Sequence, residues 1–278
     1  MRRSLKPRRR HSRPPALRAT ATALALVWAA FGGIADAGPA KGRGCKHCQR
    51  PPRQASWWYQ LQGTPSHLRA RVLDVDGFDT PSRFVSRLRA TGRYAICYID
   101  VGTWENWRRD SGRFPASVLG RGNGWPGERW LDVRRVEVLG PIMRARIRTC
   151  RAKGFHAVEP DNVDGFENET GFSISARDQL AYNRWIAMTA HGLGLAVALK
   201  NDFDQVPALA RHFDFAVAEQ CFEFDECARL RPFTRAGKAV FDVEYALPRS
   251  RFCRAAQKLH ISALWARPSL SGAGRPCS

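Results

Sequence analysis

The chain has 278 residues, enough for one large domain or two small ones, and a formal net charge of +20. Arg and Lys are spread along the chain without a basic run interleaved with aromatic residues. The charge therefore indicates a solvated surface rather than a nucleic-acid partner. No apolar run after residue 37 approaches the length of a membrane helix, which argues against a membrane protein.

Residues 1 to 37 have the layout of a secretory signal. Arg2 to Arg18 form a basic start, Ala19 to Ala30 are almost wholly apolar, and Ala35-Asp36-Ala37 fits a small-residue cleavage site. The apolar part is too short for a membrane span. Cleavage would remove eight Lys or Arg residues and one acid, leaving a secreted chain with a net charge of +13.

All eight cysteines follow the predicted cleavage site, and an even count in an exported chain favours disulfides. Candidate pairs are Cys221 with Cys227, across a five-residue loop, and Cys253 with Cys277, which would tie down the C-terminal tail. Cys97 and Cys150 fall in a predicted strand and a predicted helix, and their pairing stays open at this point.

Residues 38 to 55 are rich in Gly, Pro and basic residues, which predicts a linker. Cys45-Lys46-His47-Cys48 within it could be a redox or metal element, but an isolated CxxC in such a segment favours a small disulfide. The folded domain is predicted over residues 56 to 272, with a tail over residues 273 to 278.

Short apolar strands alternate with helices throughout the predicted domain. Strands are predicted over residues 57–62, 72–76, 95–100, from 155, and over 195–199, 213–218, 238–243 and 261–266. Helices are predicted from Pro81 to Gly92, from Pro141 to Lys153 and from a capping box at Ser175 to His191, with shorter ones over 206–212 and 250–259. Residues 101 to about 135 form a long insertion rich in Gly, Pro and Trp.

Eight strands alternating with helices over roughly 220 residues predict an α/β fold, a single-domain (β/α)8 TIM barrel. A doubly wound open sheet is the alternative. No GxGxxG follows the first strand and no phosphate loop occurs, so the sequence does not support nucleotide binding.

One stretch, residues 155 to 166, concentrates acidic residues at the end of a strand. Glu159 and Asp161 are two residues apart, so in an extended strand they point to the same side. Pro160 between them cannot donate to a sheet ladder and favours a strand end. Two carboxylates on one face suit acid/base or nucleophilic catalysis, although a solvated acidic loop is the alternative.

Polar residues also end most of the other predicted strands. These candidates are Gln60, Asp74, Asp76, Asp100, Glu159, Asp161, Lys200, Glu219 and Glu244. In a barrel the carboxyl ends of the strands share one face, where catalytic groups gather. Each residue alone has a structural explanation, since Asp76 could cap a helix and Lys200 could neutralise an acid.

Other catalytic chemistries lack their motifs. The sequence has no HExxH or paired-His spacing, no Gly-x-Ser-x-Gly elbow, and no complete EF-hand loop at residues 161 to 165. We therefore expect neither a metal nor another cofactor. Paired carboxylates remain, and that chemistry belongs above all to glycosidases.

Six segments carry a resemblance to a known family. They are Trp58-Tyr59-Gln60-Leu61-Gln62-Gly63, Ile96-Cys97-Tyr98-Ile99, Trp125-Pro126-Gly127-Glu128, Val158-Glu159-Pro160-Asp161-Asn162-Val163-Asp164-Gly165, Leu199-Lys200-Asn201-Asp202 and Ala218-Glu219-Gln220-Cys221-Phe222-Glu223. Together, from about Trp57 to Leu270, the chain resembles the endo-α-1,4-polygalactosaminidase family, glycoside hydrolase family 114. One departure is Asp100, where a small residue such as Ser or Ala is expected.

The resemblance implies a (β/α)8 barrel that cleaves α-1,4-linked, galactosamine-containing polysaccharide with two carboxylates, Asp161 and Glu219. We favour retention, with Asp161 as nucleophile, Glu219 as acid/base and Lys200 holding Asp161 ionised, because barrels with this strand pairing resemble that scheme. The alternative pairs Glu159 or Asp161 with Glu244. A non-catalytic, secreted polysaccharide-binding barrel is the alternative function.

The remaining candidates are expected to contact the sugar polymer. The predicted substrate-binding residues are Gln60, Asp74, Asp76, Asp100, Glu159, Lys200, Glu244 and Trp104. Trp104 belongs to a group with Trp107, Trp125 and Trp130 in the insertion, which could stack on sugar rings or pack in a core or lid. We expect a monomer whose partner is the polysaccharide.

Overall fold

The computed structural model describes residue 45 and residues 47–63, 69–272 and 274–277. The predicted secretory signal of residues 1 to 37 lies outside the described residues. The strands of the described chain are β1 (Trp57–Gln60), β2 (Val72–Asp76), β3 (Tyr94–Asp100), β4 (Thr103–Glu105), β5 (Leu119–Gly122), β6 (Glu128–Leu131), β7 (Ala157–Asp161), β8 (Ala196–Lys200), β9 (Phe215–Glu219), β10 (Val240–Glu244), β11 (Ser262–Trp265) and β12 (Arg275–Pro276).

The helices lie between the strands of the main sheet, as expected for a βα repeat. They are α1 (Ser82–Ala90), α2 (Val136–Lys153), α3 (Ala176–Gly192), α4 (Val206–Leu209), α5 (Arg231–Arg235) and α6 (Arg249–Leu259). Short 3₁₀ turns cover Ser111–Arg113, Ala116–Val118, Gly165–Glu167, Phe203–Gln205 and Cys227–Leu230.

The main sheet is a nearly closed barrel of eight parallel strands. Its order is β1-β2-β3-β7-β8-β9-β10-β11, with the short β12 added antiparallel to β11. Beyond the strands, the N–H groups of Leu61 and Gln62 both donate to the Leu270 carbonyl, which joins the two edges of the sheet. The predicted TIM barrel is therefore confirmed, and the open doubly wound sheet is not formed.

Alternation along the strands separates a barrel interior from a layer under the helices. Tyr59, Ile96 and Val217 belong to an interior cluster, whereas Leu73 and Val75 pack in the layer between sheet and helices. Residues two apart along a strand therefore share a side. This parity decides which strand-end residues reach the interior.

The predicted start of helix α2 at Pro141 is wrong, because the helix begins five residues earlier, at Val136. Pro141 lies inside the helix, although a proline there removes one backbone hydrogen bond. Packing outweighs this cost, because Leu139 is fully buried in the core and Gly140 lies against the Trp185 ring. The predicted end is correct, since Gly154 caps the helix with a φ of 91°.

Two further element ends differ from the prediction, and the predicted start of α3 is correct. Strand β1 ends at Gln60 rather than Gln62, because the following N–H groups bond across the closure of the sheet. Helix α4 ends at Leu209 rather than His212. The capping box of α3 is present, with the Ser175 hydroxyl and the Asp178 carboxylate each accepting from the other's backbone N–H.

The insertion after β3 folds into a small antiparallel sheet in the order β4-β6-β5, which the sequence did not predict. Arg146 of α2 ties it to the barrel by donating to both carboxylate oxygens of Asp110, at 2.8 and 2.9 Å, and to the Asp100 carbonyl at 2.6 Å. Buried Arg108 adds a second tie, to Asp76 at 2.6 Å and to Glu105 at 2.8 Å. The insertion is thus fixed against the carboxyl ends of β2 and β3.

The described part of the predicted linker packs against the amino end of the barrel. Pro51 and Ala55 are buried, and the Tyr94 hydroxyl donates to the Gln49 carbonyl at 2.6 Å. Arg50 donates to the Asp214 carboxylate at 3.1 Å. The domain boundaries given above stay predictions.

Four disulfides join all eight cysteines. Cys221–Cys227, Cys253–Cys277 and Cys45–Cys48 confirm the predicted pairs, and the open question is answered by a bond between Cys97 and Cys150. That bond ties β3 to α2. Within the described ranges, no helix has the length and apolar character needed to cross a membrane.

The buried disulfide should contribute more stability than the CxxC disulfide, because it closes a longer loop. Cys97 and Cys150 are 53 residues apart, and Cys45 and Cys48 are 3 apart. In the chain-entropy account, replacing the first pair by Ala costs roughly 4 kcal/mol and replacing the second costs roughly 1.5 kcal/mol. Guanidinium unfolding of both double variants without reductant measures this, and equal losses would contradict it.

Candidate active site

The ammonium group of Lys200 lies at the centre of the carboxyl end of the barrel. Lys200 is the last residue of β8, its side chain is 1% exposed, and its Nζ lies 2.8 Å from Glu159 Oε1, 3.1 Å from Asp161 Oδ1 and 3.8 Å from Glu219 Oε2. Burial disfavours its charge, but the three carboxylates outweigh this and raise the pKa of Lys200 well above its ordinary value. The lysine is a permanent cation.

Asp161 ends β7 and is held by three donors. Its Oδ2 accepts from the Tyr98 hydroxyl at 2.8 Å, and its Oδ1 accepts from the Asn162 N–H at 2.9 Å and contacts Lys200. Burial opposes its ionisation, but the Lys200 charge and these hydrogen bonds prevail, so the pKa of Asp161 is lowered. Asp161 is therefore a carboxylate at neutral pH.

Glu219 ends β9, on the other side of Lys200. The Tyr245 hydroxyl donates to its Oε1 in a short hydrogen bond, and its backbone N–H donates to Asn201 Oδ1 at 2.9 Å. Since Lys200 Nζ contacts both acids, Asp161 Oδ1 and Glu219 Oε2 are no more than about 7 Å apart, the sum of the two contact distances. The structure thus brings the predicted pair together across one lysine.

Glu159 lies one level deeper in the barrel than Asp161. It is fully buried, and its Oε1 accepts from Lys200 and from the Tyr59 hydroxyl at 3.1 Å. Asp74 is also fully buried, and burial followed by the charge of the neighbouring Glu159 raises the pKa of Asp74 well above normal. Glu159 thus pairs with Lys200 from below, and neither Glu159 nor Asp74 lines the cleft above Lys200.

Left-handed backbone follows each of the three charged strand ends. Asn162, Asn201 and Gln220 have φ angles of 59°, 47° and 60°, a region that non-glycine residues seldom adopt. Each turns the chain sharply just after the functional side chain. At the first turn only glycine fits opposite, because a Cβ on Gly102 would lie 1.6 Å from the Asn162 carbonyl oxygen.

A cleft of about 100 Å³ opens above Lys200. Its charged lining residues are Glu128, Asp161, Asp164, Lys200 and Glu219, and Trp125 provides an aromatic wall. Acidic groups therefore outnumber the single lysine among the described lining residues. An acidic, partly aromatic cleft suits a ligand that carries both positive charge and an apolar face.

Asp76 and Asp100 lie beside the cleft, and their carboxylate oxygens accept hydrogen bonds from the protein. Asp76 accepts from Arg108 and from the Phe78 and Asp79 N–H groups, both at 2.8 Å. Asp100 accepts from the Thr103 N–H at 2.6 Å and from the Asn162 side-chain amide. Their contacts hold the insertion and the turn after Asp161 in place.

Three other predicted residues do not line the cleft. Gln60 and Glu244 have the opposite parity to the interior residues of their strands, and Glu244 Oε1 accepts the Phe222 N–H at 2.8 Å outside the barrel. Glu244 therefore cannot pair with Asp161 as the alternative mechanism required. Trp104 packs against the core and donates its Nε1–H to the Ser111 carbonyl at 3.0 Å, whereas Trp125 faces the cleft.

Sequence reasoning missed two tyrosines that contact the acids. Tyr98 is two residues before Asp100 and pairs in register with Glu159, so the period of two along β3 could have revealed it. Tyr245 is two residues after the interior Val243 but lies beyond the end of β10, where no strand pattern extends.

One group among the described residues has the spacing of metal ligands, Cys221, Cys227 and Asp242. Its two sulfurs are joined as a disulfide, so they cannot act as thiolate ligands. It lies apart from the lysine-centred cleft lining.

Comparison with known families supports a hydrolytic site. A family model described as glycoside-hydrolase family GH114 matches residues 40–278. Among curated proteins, none matches the chain.

Solved structures with a similar fold include a glycoside hydrolase domain and a galactosidase. Ega3 from Aspergillus fumigatus, solved in complex with galactosamine, is 29% identical over 82% of this chain and 97% of its own, with a TM-score of 0.78. The glycoside hydrolase domain of PelA from Pseudomonas aeruginosa is 15% identical over 79% and 96%, with a TM-score of 0.61. An alpha-galactosidase from Thermus thermophilus, in complex with stachyose, is 15% identical over 80% and 63%, with a TM-score of 0.52.

Replacing Lys200 by Met should destabilise the protein in a pH-dependent way. At pH 7 the loss of the cation leaves buried carboxylates unpaired, which should cost about 3–5 kcal/mol of unfolding free energy. Without Lys200 the folded-state pKa of Asp161 would rise above its unfolded value, and the pKa of Glu159, which burial already raises, would rise further. The variant therefore gains stability as the pH falls from 7 towards about 4, and its deficit relative to the unsubstituted protein shrinks.

Lys153→Met is the matched control. Lys153 Nζ donates to the carbonyls of Gly77, Phe78 and Thr80 at 2.7, 2.9 and 2.8 Å, and carbonyls do not titrate. Urea unfolding at several pH values between 4 and 7 should show a constant deficit for this variant. A pH-independent deficit for Lys200→Met as well would contradict the assignment.

Proposed function

This chain belongs to glycoside hydrolase family GH114 and is a glycoside hydrolase, and we propose that it is exported and cleaves α-1,4-linked, galactosamine-containing polysaccharide with retention at the anomeric carbon. The observation that carries this proposal is the convergence of Asp161 and Glu219 on Lys200 at one cleft. A protein that only bound polysaccharide would need no such pair.

The charge of the cleft supports an amino-sugar substrate. Unacetylated galactosamine is a cation near neutral pH, and the cleft presents Glu128 and Asp164 beside the two proposed catalytic acids. Trp125 offers a ring for the apolar face of a sugar. Ega3, the 29% identical relative, was solved with galactosamine. Short-range contacts dominate inside a cleft while salt screens the distant basic surface, so the positive net charge does not oppose this.

Asp161 is the better nucleophile of the two acids. Its lowered pKa keeps it ionised, and Tyr98, Asn162 and Lys200 fix its orientation. A nucleophilic carboxylate must be ionised and aimed at the anomeric carbon.

Glu219 is the better acid/base. Its carboxylate lies 3.8 Å from the Lys200 ammonium, compared with 3.1 Å for Asp161, and its side chain is 21% exposed. It is thus less tightly bound to the cation and open to water. The Tyr245 hydroxyl orients it.

The separation of the acids supports retention. Retaining glycosidases place the two carboxyl groups about 5–5.5 Å apart, and inverting ones about 6.5–9.5 Å apart to leave room for water. The upper limit of about 7 Å between the two oxygens, set by Lys200, leaves only the lower end of the inverting range.

The proposed reaction has two steps. In its protonated form, Glu219 gives its proton to the glycosidic oxygen while Asp161 attacks the anomeric carbon, so the C–O bond to the leaving sugar breaks and a glycosyl ester forms. Glu219, now a carboxylate, takes a proton from water, and the resulting hydroxide displaces Asp161 and restores both acids. Lys200 keeps its charge and stabilises the carboxylate before and after the ester exists.

Export should leave a chain that begins at Gly38. The proposal rests on the signal-like residues 1 to 37 and on the four disulfides, which suit an oxidising compartment. N-terminal sequencing of the protein recovered outside expressing cells should give Gly38-Pro39-Ala40. Retention of the uncleaved chain inside the cells would contradict export.

Substitution of the two acids tests the mechanism. Asp161→Asn and Glu219→Gln should each lower the rate of cleavage of a deacetylated galactosamine polymer by about 10²–10⁴-fold or more. Glu244→Gln is the control, because Glu244 faces away from the cleft and the amide oxygen can still accept the Phe222 N–H. It should stay within a few-fold of the unsubstituted enzyme.

Two readouts separate the parts of this proposal. Full activity of both Asp161→Asn and Glu219→Gln would reject the catalytic pair, and NMR of the first product should show the α-anomer if the configuration is retained. Cleavage of the acetylated polymer in preference to the deacetylated one would reject recognition of the amine.

A further inference from the structure

A cavity of about 390 Å³ lies at the opposite end of the barrel from the cleft. Its lining includes Arg71, just before β2, Tyr94, at the start of β3, and His156, just before β7. The proposed catalytic residues end their strands, so the parallel barrel places the two sites on opposite faces. No step of the proposed hydrolysis uses this cavity.

Four arginines are among the residues that line the cavity. They are Arg50, Arg71, Arg89 and Arg93, and no Asp or Glu lies among the described lining residues. Asp214, outside the lining, pairs with Arg50, and residues 38 to 44, 46, 64 to 68, 273 and 278 contain neither Asp nor Glu. Four like charges around one concave space repel one another unless an anion lies between them.

The arginines use few of their donors within the protein. Arg89 donates to the Gly154 carbonyl at 3.0 Å and Arg93 to the Thr91 carbonyl at 3.4 Å. Arg50 contacts Asp214, but that carboxylate is already bonded to His191 Nε2 at 2.8 Å. Each guanidinium has five N–H donors, so most remain for a ligand.

His156 is fixed as a donor beside these arginines. Its Nδ1 accepts from the Ala95 N–H at 3.0 Å, which assigns the ring proton to Nε2. Its ring stacks on Tyr94 with the centroids 4.7 Å apart, so its orientation is fixed. Burial and then the Arg89 charge lower the pKa of His156, and the ring is a neutral N–H donor at pH 7.

We propose that this arginine cavity binds a phosphate or sulfate ester group carried on a larger molecule, such as a phosphorylated or sulfated sugar. Guanidinium forks match the oxygens of these anions in paired hydrogen bonds, and the ring N–H adds a neutral donor. The volume falls in the range of about 300–1,000 Å³ typical of ligand pockets and exceeds the space that one inorganic ion fills. The proposal does not depend on the hydrolytic function.

Calorimetric titration of the purified chain at low salt tests the cavity. The probes are inorganic phosphate, inorganic sulfate, glucose 6-phosphate and glucose 6-sulfate, with glucose as the uncharged control. We expect saturable one-to-one binding of the esters and none of glucose. The Arg71→Ala/Arg93→Ala variant should bind at least about tenfold more weakly, since two charge-assisted contacts are lost.

The control variant is Arg148→Ala/Arg177→Ala. Both residues are exposed and lie outside the cavity, and their removal lowers the net charge by the same amount. It should bind the esters within about twofold of the unsubstituted chain. Equal weakening of the two double variants, tighter binding of the inorganic ions than of the esters, or no saturable binding would overturn the proposal. Polymer cleavage, measured in parallel, should be unchanged in both variants.

Discussion

The site depends on one ammonium group held inside the barrel by three carboxylates. A buried lysine is costly unless it is paired, and Lys200 is paired with Glu159, Asp161 and Glu219 from the two flanking strands. The same contacts keep Asp161 ionised and draw the two outer acids to one point. Stability and the proposed chemistry therefore share a single constraint, and a change in the lysine affects both.

The surrounding protein holds this arrangement through turns and through the insertion after β3. The left-handed Asn162 redirects the chain directly after Asp161, and the close approach of Gly102 leaves no room for a side chain there. Asp100 and Arg146 anchor that turn to α2 and to the small antiparallel sheet. Asp100, which departs from the expected small residue, thus has a bracing role in this chain.

The sequence predicted the barrel, three of the four disulfides and the meeting of the two acids, while the bond between Cys97 and Cys150 stayed open. Strand ends in a parallel barrel share a face, so placing Asp161, Lys200 and Glu219 at such ends was enough to bring them together. Parity along β10 could also have excluded Glu244, which adjoins the interior residue Val243.

The remaining features rest on contacts between distant parts of the chain. Arg108 donates to the Asp76 carboxylate, 32 residues away in sequence. Helix α2 continues upstream of Pro141, where Trp185 lies against Gly140. No local pattern carries either contact. The small sheet in the insertion is similar, since its short strands are stabilised by pairing and by Arg146 more than by their own apolar pattern.

The charge of the molecule is unevenly divided between the two ends of the barrel. Acids surround the cleft, and arginines surround the cavity at the amino end.

The most direct measurement of the central claim is peptide mapping by mass spectrometry after incubation with a slowly turned-over 5-fluoro glycosyl fluoride of galactosamine. A single glycosyl ester on Asp161 is predicted, and labelling of Glu219 or Glu244 instead would contradict the account.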